Sequence, residues 1–367
     1  MHMRISALAM LMLTVAAMPP AAADTLAERA NRGLVEVVTG STFGSSVRMA
    51  EDLADVLDDG ATRRVLPVVG KGSLQDVIDL KALRGVDLAI VQTDVLDHVR
   101  TQRLPGIEGS VTYIAKLYNE EFHLLARGDI RSIADLAGKK VNFGSQGDGT
   151  TITGARLFDL LKVKVEATSY SQIMAIEKLK SGQIAAMAFV TAKPAPLFSE
   201  LRAQDGFRFL AVPLKSEIAS AYIPARLTAE DYPALVVQGA VDTVAVGMVL
   251  VVANLAPDSE RYRNAANFVE AFFTQFPKLL EAPHHPKWSE VNLAAELPGW
   301  RRFAPADAWI KRNGAVNAVA MSDDQMRDIF VKFLDERSKV SGNATLTGDQ
   351  KEQLFAQFKR WQDGHDH

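Results

Sequence analysis

Short apolar strands alternate with small-residue loops and helices along this chain, and that alternation constrains the fold more than any other feature. Residues 34–38 form a β-branched strand that ends in a loop of glycine, serine and threonine, and residues 47–57 then carry apolar side chains at helical spacing. The same order recurs with strands at 65–69 and 86–91 and a helix at 74–83. Such alternation predicts an α/β fold with a largely parallel sheet covered on both faces.

A second series of strands and helices begins near residue 112. It comprises an extended segment, a capped turn, and then alternating strands and helices, at 112–126, 131–136, 141–143, 144–161, 173–180, 185–190 and 244–253. An amphipathic helix over 261–276 follows, and Pro277 is expected to end it. The two series predict two α/β lobes, and the extended segments at 116–125 and 242–252 are the expected crossings between them.

The first 23 residues have the pattern of a secretory signal peptide. Arg4 supplies a positive charge, residues 5–17 are apolar but too short to span a membrane, and residues 21–23 are alanines suited to cleavage before Asp24. An uncleaved anchor is the alternative. Export, which in a bacterium means the periplasm, is therefore predicted.

These features divide the chain into five parts. They are a signal peptide at 1–23, a first part of lobe 1 at 24–118, lobe 2 at 119–241, a second part of lobe 1 at 242–320, and a C-terminal helical extension at 321–367. The extension has apolar residues at helical spacing and is expected to pack over the first lobe, with partner binding as the alternative.

Composition and motifs exclude several functional classes. A formal net charge of -3 gives no broad basic field for nucleic acid, and the absence of cysteine excludes disulfides, thiolate metal sites and cysteine catalysis. His284 and His285 are adjacent and lack a third ligand, so no metal is predicted. The loop at 144–150 has the spacing of a phosphate-binding loop, but Thr150 replaces the required lysine. No nucleophile is paired with an obvious base, so we predict neither an enzyme nor a cofactor.

The loops between strands and helices are the candidate ligand site. They lie at the carboxyl ends of strands, where open parallel sheets bind ligands, and at helix starts, whose free N–H groups and dipole favour a carboxylate or phosphate. The predicted ligand-binding residues at these points are Gly40, Ser41, Thr42, Phe43, Ser45, Ser46, Lys71, Gly72, Ser73, Gln92, Thr93, Asp94, Ser145, Gly147, Gly149, Thr150, Thr151, Tyr170, Phe189, Thr191 and Lys193.

Each of these residues also has a structural interpretation. Serine, threonine and glycine before a helix serve capping and turn formation without any ligand. Asp94 could cap the following helix, and Tyr170 could be an aromatic of the lobe interface. Lys71 and Lys193 are the expected cationic partners of a carboxylate, and solvated surface lysines are the alternative.

Five stretches within residues 34–315 carry a family resemblance, at 38–44, 70–73, 86–94, 133–144 and 241–246. In this order and behind a signal peptide, they resemble the TAXI group of periplasmic receptors for tripartite ATP-independent (TRAP) transporters. The chain departs from the usual pattern at 45–47, where members carry aromatic residues, and at Lys71, where a second glycine is common.

The resemblance implies a type II periplasmic binding protein fold, with two lobes that close on a small organic anion. A dicarboxylate or an acidic amino acid, such as glutamate or 2-oxoglutarate, is the implied solute, and the TRAP membrane subunits are the implied partner of a monomeric receptor. A sensory binding protein of the same fold, feeding a chemoreceptor or a sensor kinase, is the alternative, and an enzyme on this fold is a third hypothesis.

Overall fold

A computed structural model describes residues 31–40, 42–102, 106–107, 109–237 and 239–313, together with residues 25, 347, 348 and 351. The predicted signal peptide and Ser41 lie outside the described residues. So does the predicted C-terminal extension, apart from three positions.

The described residues form one mixed sheet and the helices that cover it. Strands β1 to β10 are Leu34–Thr39, Arg64–Val69, Leu88–Gln92, Val111–Arg127, Lys140–Asn142, Glu166–Thr168, Ala186–Thr191, Phe207–Phe209, Ile223–Thr228 and Ala240–Ala253. Helices α1 to α9 are Ser45–Leu57, Ser73–Ala82, Thr93–Thr101, Gly149–Leu160, Gln172–Lys180, Pro196–Ser199, Ser216–Ala219, Glu260–Leu279 and Ala304–Asn313. Short 3-10 turns span Ile133–Leu136, Ala203–Asp205 and Pro286–Glu290.

The strand order is β2-β1-β3-β10-β4-β7-β5-β6, with β8 paired to β4 and β9 paired to β10. Strand β1 runs parallel to β2 and β3, and β5 runs parallel to β6 and β7. Strands β4 and β10 are antiparallel to each other and to their neighbours. The predicted α/β fold, parallel within each series, is therefore confirmed.

Strands β4 and β10 connect the two halves of the molecule. In β4, Tyr118 belongs to the core with α1 and α8, whereas Phe122 belongs to the core with α4. In β10, Met248 belongs to the core with α1 and α8, and Val246 belongs to the core with α4. We call the part with β1–β3, α1–α3, α8 and α9 lobe 1, and the part with β5–β9 and α4–α7 lobe 2. The predicted crossings at 116–125 and 242–252 fall within these two strands; the domain boundaries given above stay predictions.

Each lobe has a hydrophobic core on both faces of the sheet, which explains the apolar strands read from the sequence. There are four such cores, and each contains side chains that are fully or almost fully buried. Examples, one from each core, are Leu53 and Val77 in lobe 1, and Leu136 and Phe198 in lobe 2. Covered sheet faces leave the loops at the strand ends as the parts of the two lobes that can meet.

Helix α8 does not end at Pro277, so that prediction was wrong. Pro277 lies in the last turn, where a missing N–H removes one backbone hydrogen bond. The helix continues to Leu279, whose side chain is 1% exposed in the lobe 1 core. Burial of that side chain is favourable by about 2 kcal/mol, which offsets the lost bond.

Truncation of Leu53 tests the lobe 1 core. Leu53 is 0% exposed, so Leu53→Ala should lower the free energy of unfolding by about 2–5 kcal/mol. Leu83→Ala is the matched control, because Leu83 is 52% exposed and its loss should change stability by less than about 0.5 kcal/mol. Urea unfolding followed by circular dichroism measures both, and equal losses would contradict the assigned core.

Candidate functional site

Three contacts between described residues of the two lobes form the junction, and the first is at the start of α1. The backbone N–H of Ala192, just after β7 in lobe 2, donates to Ser45 Oγ in lobe 1 at 3.2 Å. Ser45 in turn donates to Glu120 Oε1, and Tyr118 OH donates to the same oxygen at 3.1 Å. The crossing strand β4 thus holds the first residue of α1 against lobe 2.

Glu120 is an unusual residue for such a position, because it is only 3% exposed in the crossing strand. Burial raises the pKa of Glu120 to about 7, and the hydroxyl groups of Ser45 and Tyr118 oppose that shift. The charges of Glu121 and Asp148 raise the pKa further. Glu120 is therefore a carboxyl group that changes its protonation near neutral pH.

The second place is a close approach of backbones between α2 and α4. Gly72 has φ of +123°, and a Cβ there would lie 2.6 Å from Asp148 Cα. The N–H of Gln75 donates to the carbonyl of Gly147 across the same contact, at 3.3 Å. Beside it, a Cβ on Gly149 would lie 1.7 Å from Gln92 Oε1. These glycines therefore let the lobes approach each other, whereas the sequence predicted that they admit a ligand.

The third place joins α3 to lobe 2 through Asp94. Thr153 Oγ1 of α4 donates to Asp94 Oδ2 at 2.7 Å, and Tyr222 OH donates to the same oxygen at 3.3 Å. Asp94 is 4% exposed, and its other carboxylate oxygen has no hydrogen-bond partner. This residue was predicted to bind ligand or to cap α3, and its side chain instead reaches across to the opposite lobe.

Two further carboxyl groups lie at the junction. Asp76 is 0% exposed and neither of its oxygens makes a hydrogen bond of normal geometry. Burial raises the pKa of Asp76 to about 8, with the charges of Asp79 and Asp148 adding to the shift. Burial also raises the pKa of Asp148 to about 6, opposed by the N–H of Thr150. Within the described residues, no ion pair involves Asp76, Glu120 or Asp148.

The helix starts at the junction differ in how their N–H groups are used. In α4, Asp148 caps the helix by accepting from the Thr150 N–H at 3.0 Å. The first turn of α2 is covered by the carbonyl of Gly147. Helix α1, of 13 residues, has Gly44 at its cap position and no side-chain cap, and a helix start carries unpaired N–H groups and the positive end of the dipole. Of these three starts, and among the described contacts, that of α1 has neither a capping side chain nor a carbonyl of the other lobe over its first turn, which suits a negative ligand group.

Several predicted residues lie at the ends of strands but make internal bonds. Ser46 Oγ accepts from the Gly40 N–H, and Ser73 Oγ accepts from the Gln92 N–H, each at 3.2 Å. Thr150 Oγ1 accepts from the Val190 N–H at 3.1 Å, and Thr151 Oγ1 donates to the Phe143 carbonyl at 3.0 Å. Five other predicted ligand-binding residues lie in or beside the same loops: Thr42, Phe43, Thr93, Ser145 and Thr191.

Other predicted residues have partners away from the three contacts. Lys71 is exposed, and the Lys193 ammonium binds Asp231 at 3.0 Å and the Arg226 carbonyl at 2.7 Å. Phe189 is buried beside Phe198 in a lobe 2 core. The backbone N–H of Tyr170 donates to Asn142, and its ring lies 5.5 Å from the Lys178 ammonium. Of the two lysines expected to face an anion, Lys71 is thus exposed and Lys193 forms a partly buried ion pair within lobe 2.

A buried ion pair beside the junction was not predicted from the sequence. Lys287 Nζ lies 2.9 Å from Glu121 on β4 and 2.7 Å from Glu290. Glu121 also accepts from the backbone N–H of Lys193 at 3.1 Å. The 3-10 turn of lobe 1 that carries Lys287 is therefore connected, through β4, to the loop of lobe 2 that contacts Ser45.

The roles of Glu120, Thr153 and Tyr222 at the junction were not predicted from the sequence either. One signal was available for Glu120: two adjacent glutamates, at 120 and 121, lie in the middle of a strand that was already identified as a crossing. No local signal marks Thr153 or Tyr222, because their role depends on the angle between the lobes.

Two general features bear on the kind of site this is. No helix among the described residues combines the length and the apolar character that crossing a bilayer requires. In the same part of the chain, no group of three or more histidine or acidic side chains is placed to hold a metal ion.

Two α/β lobes joined by two crossing strands, with helix starts of both lobes at the junction, give this chain the two-lobe type II periplasmic binding protein fold. The chain belongs to the NMT1-like family, whose family model matches residues 37–299.

Solved structures of binding proteins are similar to this chain. They include the periplasmic binding protein BugD (12% identity, 70% of this chain and 85% of that chain, TM-score 0.45). A substrate-binding protein of an ABC uptake transporter from Streptococcus pneumoniae with bound histidine has 13% identity over 69% and 93% of the two chains, with a TM-score of 0.42. The alkanesulfonate-binding protein SsuA from Xanthomonas axonopodis pv. citri, bound to MOPS, has 14% identity over 88% and 83%, with a TM-score of 0.41.

Replacement of Glu120 tests the buried acid. Because the folded protein holds this proton more tightly than the unfolded chain, the stability that it contributes is present below about pH 4.5 and is lost as the pH rises through about 7. Glu120→Gln stays neutral and still accepts the same hydrogen bonds. The Glu120→Gln variant should therefore be more stable than wild type by roughly 3 kcal/mol near pH 8, and most of the difference should disappear near pH 4.5.

Urea unfolding at both pH values measures the effect. Glu230→Gln is the control, since Glu230 is exposed and its replacement should leave the pH dependence of stability unchanged. A Glu120→Gln profile parallel to that of wild type would contradict the raised pKa.

Proposed function

We propose that this protein is a periplasmic receptor that captures a small organic anion and delivers it to the membrane subunits of a TRAP transporter. The proposed solute is a dicarboxylate or an acidic amino acid, such as glutamate or 2-oxoglutarate. Membership of the NMT1-like family and the two-lobe fold support solute binding. The resemblance to TAXI receptors supports the transporter and the solute class.

The observation that carries the proposal is the convergence of both lobes on the start of α1. Ser45 of α1 accepts from the Ala192 N–H of lobe 2, and the helix start beside it lacks a side-chain cap. A carboxylate bound there would contact free N–H groups of lobe 1 next to the backbone of lobe 2. A ligand that contacts both lobes stabilises their closed arrangement over an open one.

The carboxyl groups around this helix start favour an acidic amino acid over a dicarboxylate without an amino group. The charge of Asp148 disfavours ionisation of Glu120, and neither carboxyl group has a cationic partner among the described residues. An ammonium group on the ligand would supply the missing positive charge. Glutamate therefore fits the charges better than 2-oxoglutarate, which carries a ketone at that position.

A ligand panel tests the solute class. In isothermal titration of the mature protein near pH 7.5, L-glutamate should bind at least about tenfold more tightly than 2-oxoglutarate or glutarate, because a charge-assisted hydrogen bond contributes about 1.5–3 kcal/mol. A ligand at about 100 times its dissociation constant should also stabilise the fold by about 2.7 kcal/mol in thermal unfolding. Stabilisation by sugars or metal ions alone would contradict the solute class.

Gly149→Ala tests whether binding needs the lobes to close. The added Cβ would collide with the amide end of the Gln92 side chain of the opposite lobe, which is 3% exposed and so has little room to move, and solute affinity should fall about tenfold or more. The stability of the fold should fall little, because alanine is at least as favourable as glycine in a helix. Gly109→Ala, where no atom lies within 4 Å of the new Cβ, is the control and should bind normally. Unchanged affinity in Gly149→Ala would exclude closure at this contact.

A further inference from the structure

Asp94 lies between two cavities that open along the junction of the lobes. One, of about 630 Å³, is lined by residues of α3 and α4, including His98 and Arg156. The other, of about 300 Å³, is lined by α3, the segment before β9, and β10, including Tyr222 and Gly247. Asp94 and Asp97 contribute to both cavities. Asp94 therefore borders both cavities, although only 4% of its surface is exposed.

The Asp94 contact is made across the lobes and lies apart from the start of α1. Its partners Thr153 and Tyr222 both belong to lobe 2, whereas Asp94 is in the first turn of α3 in lobe 1. Separation of the lobes would remove both hydrogen bonds at once and expose the carboxylate to water. The contact thus exists in the closed arrangement and cannot persist in an open one.

The charged groups around Asp94 leave it without a direct ionic partner. From α4, Arg156 acts on the carboxylate only at a distance, and its guanidinium lies 5.5 Å from the centre of the Tyr222 ring. On α3 itself, Arg100 pairs with Asp97 at 2.9 Å, and His98 lines the larger cavity. The other described residues that line the smaller cavity from β10, Ala245, Val246 and Gly247, carry no titratable group.

We propose that Asp94 is a positioning residue that ties lobe 1 to lobe 2 in the closed receptor and makes closure more favourable as the pH falls. The proposal rests on the closing movement that the proposed function requires, and it is independent of which solute is bound.

The direction of the pH effect follows from burial. In the closed form, burial raises the pKa of Asp94 to about 6 from an ordinary value of 3.8, while the hydroxyls of Thr153 and Tyr222 oppose the shift. In an open form the carboxyl would return towards its ordinary value, so closure takes up a proton between these two values. Between about pH 7 and about pH 5, the ratio of closed to open receptor should rise roughly tenfold through this group.

The hydrogen bonds around Asp94 suit both protonation states. With Asp94 ionised, Thr153 Oγ1 donates to the carboxylate. With Asp94 protonated, its O–H can donate to Thr153 Oγ1, and the threonine proton can turn to the carbonyl of Gly149, 3.3 Å away. The proton therefore has an acceptor when the lobes close, and no buried hydroxyl loses its partner.

The test measures the distance between the lobes without any solute. The chain has no cysteine, so Arg84→Cys in lobe 1 and Lys164→Cys in lobe 2, both at exposed positions, can be spin-labelled specifically. Distance distributions by double electron–electron resonance at about pH 5 and about pH 7 give the closed and open fractions. Asp94→Asn, Asp94→Ala and the control Asp97→Asn are made in this background; Asp97 is the next carboxyl along the same helix and is 47% exposed.

Three results are expected. Asp94→Asn should keep the short distance between the labels. Its ratio of closed to open receptor should no longer show the roughly tenfold change with pH that belongs to Asp94. The pH response that remains should be the part due to Glu120, Asp148 and Asp76. Asp94→Ala should shift the distribution to long distances by about tenfold or more, since both cross-lobe bonds are lost. Asp97→Asn should match wild type.

Two outcomes would overturn the inference: a distance distribution of Asp94→Ala equal to that of wild type, or a pH response of Asp94→Asn equal to that of wild type. Urea unfolding of Asp94→Ala shows whether the variant is still folded. A folded variant with a long distance between the lobes supports the role of Asp94 in holding them together. If wild type shows a single distance at both pH values and with L-glutamate, the closing movement itself fails, and with it the proposed function.

Discussion

The pairing of β4 with β10 is the constraint on which the rest of the structure depends. Both strands run from the part of the sheet in one lobe into the part in the other, so each lobe is completed by chain that also belongs to its neighbour. The ladder between them is irregular near Gly247, at the point where the strands pass between the lobes. Relative movement of the lobes is thereby confined to bending and twisting of one strand pair, which brings the same loops together each time.

Charge at the junction opposes what the helix starts alone would provide. Helix starts attract anions, yet Asp76, Asp94, Glu120 and Asp148 lie among them, each buried enough to hold its proton more tightly than usual. Closing the lobes with all four groups ionised is therefore unfavourable. In the proposed receptor, protons or a cationic ligand group would have to neutralise part of this charge, which would link lobe closure to protonation and to the charge of the solute.

The sequence predicted the fold well because the relevant signals are local. Apolar β-branched runs, glycine-rich loops and helical spacing are each contained within about ten residues, and the two crossings were visible as unusually long extended segments. The end of α8 was not predictable, because the burial of Leu279 in the tertiary structure outweighs the local effect of Pro277. At the site, the loops were located correctly along the chain but their partners were not. Gly72 faces Asp148, and Lys193 pairs with Asp231. The partners in each contact are far apart in the sequence, so no local pattern encodes them.

The contact between Gly72 and Asp148 has a consequence for the proposed receptor. Backbone meets backbone there, so no side chain can move aside to bring the lobes closer together. In the proposed closing movement this contact would set how far the lobes can approach each other, and a molecule too bulky to fit between them would hold the two backbones apart and leave the Asp94 bonds unmade. Selection by size would then depend on the main chain, and side chains nearer the solute would choose among molecules that are already small enough.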